Sequence, residues 1–389
     1  MPAHPLLRLE AALGELLLAL TVGRRLPPLP TPQRTTSAPP EDLPALWQQI
    51  AALPRDERPR SGLAATLALA RGSMWEKLAD QYPDLAGESP APPGFTELRS
   101  PAEEPGRLDL VAFFRPPDAG RPILFVLHGL FDSKRAGYAV RAATALAEQG
   151  FGVLVPDLRW HGRHLGGSAL GSLGLEEAGD LLAWAAWICQ RFPGHDLGLL
   201  GFSLGAMVVI HTLAADRRRL FRAGGVAFSP AGSLAATVDY VDETGLFARP
   251  WGRGVMPWVL RMGMKRRLGV LGIPLARRQP FRALVQYFGE RLPAVGDFLL
   301  AADPCAALAR VRSPLLVVGG VNDPMFPPET TAALGAAGAA ARPWVEVVSL
   351  SWGGHVACFA ASPRWTMSAI DLFFAHSARL TTAGVDAGG

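Results

Sequence analysis

The chain is poor in cysteine, with 3 residues among 389. Cys189, Cys305 and Cys358 are odd in number, far apart and set among apolar neighbours. That argues against a disulfide framework and for buried thiols in a reducing, cytoplasmic compartment. Long hydrophobic runs are missing too: no uninterrupted apolar stretch is long enough to span a bilayer. The leucine-rich start from Leu6 to Leu18 is broken by Glu10 and Glu15. Its basic residues Arg24 and Arg25 come after the apolar run, the reverse of a signal peptide. There is no zinc finger, no RNP-like aromatic motif and no base-reading basic helix, so a net charge of +4 does not make nucleic acid an expected partner. No repeat of solenoid period is visible.

Glycine and proline are plentiful, at 42 and 35, and imply many turns and at least one extended linker. The length suits one large α/β domain with additions. Leu6, Leu9, Leu13, Leu16, Leu17 and Leu20 recur at helical spacing, and residues 27–44 read as a proline-rich strap. A second helical region draws on Leu43 to Trp47 and Leu63 to Leu67. Residues 1–93 thus form an N-terminal helical and Pro-rich extension.

From residue 94 strands alternate with helices. Gly94 to Arg99 and Leu108 to Phe114 suit an antiparallel pair. Then come strands Ile123–Leu127, Gly152–Pro156, Leu197–Leu200, Gly225–Phe228, Pro314–Val318 and Trp344–Val348, with helices predicted at Tyr138–Glu148 and around Leu181–Cys189. Short, wholly apolar strands between helices specify a mostly parallel sheet with helices on both faces. This core covers residues 94–230 and 303–389. Between them, residues 231–302 are too long for a loop and are expected to form a helical cap.

Gly201-Phe202-Ser203-Leu204-Gly205 follows one predicted strand and leads into the apolar run Ala206 to Ile210. Small residues on both sides of the serine allow a sharp strand-to-helix turn that presents its hydroxyl. A serine hydroxyl is a poor nucleophile until a histidine takes its proton, and the histidine must be oriented by a carboxylate. Asp323 and His355 lie in loops directly after predicted strands, in the order Ser203, Asp323, His355. Asp303 is a rival acid with the same Asp-Pro dipeptide, without a convincing strand before it. Two backbone amides are needed for the developing oxyanion. Leu204 offers one, and the loop His128-Gly129-Leu130 offers the other, from Leu130 or from Phe131.

On these motifs, residues 94 to 376 resemble the α/β-hydrolase superfamily, which implies the α/β-hydrolase fold. Pro156 to Gly162 is similar to that superfamily's loop after the next strand, with Trp160 where glycine is usual. His128-Gly129-Leu130, with Ser133 and Tyr138 nearby, and Gly353-Gly354-His355-Val356 are similar to its embryogenesis-associated branch of lipid esterases. Asn322 stands where that branch often has a second acid.

Plainer roles compete for several residues. His128 suits a structural role in the oxyanion loop, and Asp157, His161 and His164 suit loop stabilisation better than a metal site. Cys358 suits the core. In the cap, aromatic residues including Trp251, Trp258, Phe281, Tyr287 and Phe288 alternate with arginines. That pattern fits either a surface for lipid-like esters or an inward apolar face with solvated arginines. The expected activity is hydrolysis of a carboxylic ester, apolar or lipid-like, through an acyl-enzyme and without cofactor or metal. The alternatives are a thioesterase or acyltransferase using the same residues, or a silent scaffold binding lipid or a partner. Peripheral membrane contact would involve the N-terminal helix or the basic cap.

Overall fold

The computed structural model describes residues 28–33, 38–56, 91–244 and 280–386, with gaps at 105, 131, 165–168, 293–294 and 357, together with Gly269 and Gly272. The N-terminal leucine stripe, the helical region at Leu63 to Leu67, and Trp251 and Trp258 of the expected cap lie outside them.

Eight described strands form one sheet: β1 (Thr96–Ser100), β2 (Leu110–Arg115), β3 (Ile123–Leu127), β4 (Gly152–Pro156), β5 (Leu197–Phe202), β6 (Gly225–Phe228), β7 (Leu315–Gly320) and β8 (Val345–Leu350). Their order is β1-β2-β4-β3-β5-β6-β7-β8. β2 runs antiparallel to β1 and β4, and every other neighbouring pair is parallel. The mostly parallel sheet with an antiparallel start forms as read, and β2 is antiparallel to both of its neighbours rather than to β1 alone.

β3, β4, β5 and β6 are buried along their whole length because helices cover both faces. Alternate side chains enter two cores. Phe125 and Leu199 join one, packed under α3 (Leu175–Arg191) and α4 (Leu204–Ala215). Leu124, Val126 and Leu200 join the other, under α1 (Leu43–Ala52), α2 (Gly137–Glu148) and the C-terminal helix Pro363–Asp386. α4 is apolar apart from His211 and Thr212 and buried from Leu204 to Leu213, so sheet and neighbouring helices enclose the element that follows the serine turn.

α3 begins at Leu175, earlier than the expected Leu181. The buried Glu177 carboxylate accepts the amides of Ser172 and Gly174 at 2.9 and 3.0 Å, capping the helix start with groups that apolar periodicity does not reveal. Beyond β6 the described part of the insertion is helical: α5 (Leu234–Asp239), α6 (Pro280–Arg291) and α7 (Phe298–Ala301). Phe281 and Phe288 are buried in the same core as α4, and Phe288 meets the edge of Trp160 at 5.4 Å. Arg282 stays exposed and pairs with Asp239. In this described part of the insertion, Phe281 and Phe288 face inward and Arg282 is solvated.

Candidate active site

Ser203 sits at the junction of β5 and α4 with φ 55° and ψ −113°. A non-glycine residue there stores about 1–3 kcal/mol, tolerated where the surroundings over-determine the turn. Its amide donates to the Phe228 carbonyl at 2.9 Å, anchoring the turn to the end of β6. Gly205 permits the close approach of helix to sheet. A methyl group there would lie 2.5 Å from the Leu127 carbonyl oxygen and 2.7 Å from that of His128, both backbone atoms.

The hydroxyl meets His355, with Nε2 3.0 Å from Ser203 Oγ. On the opposite side of the ring, Nδ1 lies 2.9 Å from Asp323 Oδ2. The other Asp323 oxygen accepts the Met325 amide at 2.8 Å, so the carboxylate is oriented from both sides. Phe326 closes edge-on against the imidazole at 4.9 Å. Ser203, Asp323 and His355 are therefore brought together in one hydrogen-bonded chain. Asp303 is elsewhere, capping α8 (Pro304–Leu308) through the amides of Cys305 and Ala306 and accepting the Leu234 amide.

The loop after β3 lies against the serine: a methyl on Gly129 would sit 3.4 Å from Ser203 Cβ. The Gly129 amide is already committed, donating to the Tyr138 hydroxyl at 2.7 Å, while that hydroxyl donates to Asp132 at 2.8 Å. Burial and then the Asp132 charge push the Tyr138 phenol well above its ordinary value, so it stays protonated and keeps donating. Leu130 is the next amide along this loop. Leu204 occupies the first turn of α4, where amides have no intrahelical acceptor and the helix dipole favours negative charge. Phe131, the other oxyanion candidate, lies outside the described residues.

His128 is structural. Its Nε2 accepts the Leu158 amide at 3.2 Å, which places the proton on Nδ1, 2.9 Å from the Gly129 carbonyl. Asp157 is buried against Lys134, with Oδ2 2.6 Å from Nζ and Oδ1 accepting the Lys134 amide at 2.8 Å. His161 Nδ1 turns to the Arg159 carbonyl at 2.7 Å. Among the described residues, no group of three or more His, Cys, Asp or Glu is placed to hold a metal ion. Cys358 is buried, and burial pushes its thiol up to about 12, far from the thiolate that a cysteine nucleophile requires.

Sequence reasoning missed the work of three side chains here: the Tyr138 hydroxyl, Asn322 and Ser229. Asn322 and Ser229 both contact the backbone beside His355. A polar residue just past the carboxyl end of a strand is the only signal that marked them.

Residues 118–352 match the family model described as "Serine aminopeptidase, S33", more than half of the 389-residue chain. No curated protein matches in sequence. Among solved structures, the Pyrococcus furiosus esterase Pf2001 is similar at 19% identity and TM-score 0.53, covering 73% of this chain and 93% of its own. The Pyrococcus horikoshii acylaminoacyl peptidase is similar at 16% identity and TM-score 0.50, over 76% of this chain and 43% of its own. A puromycin hydrolase mutant complexed with PGG is similar at 17% identity and TM-score 0.50, over 76% and 41%. The chain thus spans nearly the whole esterase but less than half of the latter two proteins.

Proposed function

Because the chain belongs to the serine aminopeptidase S33 family of α/β-hydrolases, and is a serine hydrolase on that ground, we propose that it cleaves carboxylic esters with an apolar acyl group. The observation that carries this reading is the closed chain from Ser203 Oγ through His355 to Asp323, with both hydrogen bonds formed at 3.0 and 2.9 Å.

In this mechanism His355 Nε2 takes the Ser203 proton as Oγ attacks the ester carbonyl carbon. Asp323 accepts the Nδ1–H hydrogen bond and stabilises the imidazolium. The amides of Leu130 and Leu204 receive the oxyanion. As the carbonyl re-forms, the C–O bond to the alcohol breaks and His355 protonates the departing oxygen. Water then gives a proton to His355 and attacks the acyl-enzyme, and that proton returns to Ser203 as the carboxylic acid leaves. No step calls on a metal or cofactor. Leu130 and Met325, partly buried in the loops that carry an oxyanion amide and Asp323, support an apolar substrate, since such side chains offer little to a charged one.

A second reading, cleavage of an amide or peptide bond, is favoured by the family's description and the peptidase neighbours. The same acyl-enzyme also serves a thioesterase or acyltransferase, which differ only in the group displaced or the nucleophile that intercepts it. The test has two parts. A fluorophosphonate probe is expected to label the wild type and not Ser203→Ala; a folded wild type left unlabelled sinks the enzyme reading. Alkyl esters of increasing acyl length are then compared with the matching amides, thioesters and acyl acceptors. Turnover of amides without turnover of alkyl esters replaces the ester assignment. Peripheral membrane contact through residues 1–26 is excluded if their deletion leaves liposome binding unchanged.

A further inference from the structure

His355 is held by more than Asp323. The Gly354 amide, immediately before it, donates to Asn322 Oδ1 at 2.8 Å, and the Val356 amide, immediately after it, donates to Ser229 Oγ at 3.0 Å. The two acceptors come from different strands: Asn322 follows β7 and Ser229 follows β6. Both are anchored. Asn322 adjoins Asp323, whose amide donates to the Gly320 carbonyl at 3.2 Å, and the Ser229 amide donates to the Val318 carbonyl at 2.7 Å. Ser229 holds φ at 52°, a left-handed conformation unfavourable for a residue with a side chain. Val356 holds φ at 49°, more unusual still for a β-branched residue. Strain at two residues joined by one hydrogen bond signals a local geometry that the fold enforces, and that geometry turns the chain so that the imidazole faces Ser203.

We propose that Asn322 and Ser229 form a two-point backbone clamp that positions the His355 imidazole between Ser203 and Asp323. The inference rests on the reading of His355 as the general base. Asp323 alone fixes one ring nitrogen, leaving the ring able to pivot about that hydrogen bond. Pinning the amides on both sides of the residue fixes Cα, and with it the direction of Nε2. The clamp also suits an asparagine at this position. An amide oxygen accepts the Gly354 N–H without placing a second negative charge beside Asp323, where it would favour the protonated, inactive imidazolium. Ser229 and Asn322 are positioning residues, because they act on substrate only through His355.

The test uses the full-length chain and four variants: Asn322→Ala, Asn322→Asp, Ser229→Ala and Ser229→Gly. Displacing a catalytic group by a fraction of an ångström to an ångström costs on the order of 10- to 100-fold in rate. Asn322→Ala and Ser229→Ala are therefore expected to lose about that much kcat and fluorophosphonate labelling rate, with KM little changed. Asn322→Asp keeps the acceptor and should recover part of the kcat lost in Asn322→Ala. Glycine accepts the positive φ of Ser229 but has no hydroxyl, so Ser229→Gly should lose as much as Ser229→Ala; a wild-type rate in Ser229→Gly would show backbone strain, not the hydrogen bond, to be what matters and would overturn the Ser229 half. The low-field proton resonance of His355 Nδ1–H reads the same geometry without substrate, and should broaden or vanish in the alanine variants while circular dichroism stays native. Alanine variants with kcat within twofold of wild type and an unchanged resonance overturn the clamp alone. A wild type that the probe does not label overturns the general-base reading, and the clamp with it.

Discussion

Replacing Lys134 by methionine tests how the loop after β3 is held. The Lys134 ammonium lies 2.6 Å from the Asp157 carboxylate, and the two side chains are 1% and 0% exposed. That burial decides the magnitude. A surface pair would contribute about 0–1 kcal/mol, whereas removing one partner of a buried pair leaves an uncompensated charge and costs about 3–5 kcal/mol. The pH dependence should change sign as well. Burial alone would raise the Asp157 carboxyl, but Lys134 overrides it and holds the group below its ordinary value. In the wild type this contributes stability above the ordinary carboxylate range and is lost only as pH falls through the lowered value. Without the Lys134 charge, burial, the largest influence on this group, outweighs the remaining backbone hydrogen bond and the native carboxyl titrates above the unfolded one. The unfolded chain then ionises first, and stability falls as pH rises. Urea unfolding at pH 5 and pH 8 should show Lys134→Met losing more at pH 8. Lys134→Met with Asp157→Asn should be more stable at pH 8 than the single variant, because the neutral side-chain oxygen still accepts the backbone N–H at position 134. A single variant within 1 kcal/mol of wild type, or one with the wild-type pH slope, would refute the argument. Lys134 belongs to the same loop as Leu130, so any folded remainder should also label more slowly at Ser203.

Three further outcomes follow from the same geometry. Asp323→Asn should lose on the order of 10³- to 10⁴-fold in kcat, because an amide favours the wrong imidazole tautomer; a loss under tenfold in ester turnover would remove Asp323 from the chain. Gly205→Ala should cost about 1–3 kcal/mol by overpacking and slow probe labelling, since the new methyl meets the carbonyl oxygens of Leu127 and His128; wild-type melting with wild-type labelling would contradict the close approach. His211 is buried, which pushes it from 6.5 down to about 4, and its Nε2 faces the Ala302 carbonyl at 3.1 Å. The unfolded state therefore binds the proton first: stability should fall by about 3 kcal/mol as pH drops from the ordinary histidine range towards 4. His211→Gln should flatten that part of the slope in denaturant titrations, and an unaltered slope would count against it.

The alternation of apolar strands and helices was legible in the chain itself, because burial on both faces leaves β3 to β7 without a polar side chain. Ile123–Leu127 and Gly152–Pro156 form as read, and the serine turn was visible from its glycines. Boundaries set by side-chain capping were not legible. Glu177 starts α3 early by accepting amides that precede it, an arrangement with no periodic signature. The sequence reading also left out the long C-terminal helix Pro363–Asp386, which buries Trp365, Ile370 and Phe373 in the same core as Leu124 and Val126.

By itself the sequence pointed to the candidate residues: a serine between glycines, and an aspartate and a histidine each just past a strand. Each is a local pattern, dictated by backbone sterics within a few residues. Only the tertiary structure decided that Asp323 and not Asp303 faces the imidazole, that His128 shapes the loop beside Ser203, and that Asn322 and Ser229 pin the backbone around His355. Those choices depend on hydrogen bonds between segments far apart in the chain. Their partners are set by the register and order of the strands, which no local pattern encodes.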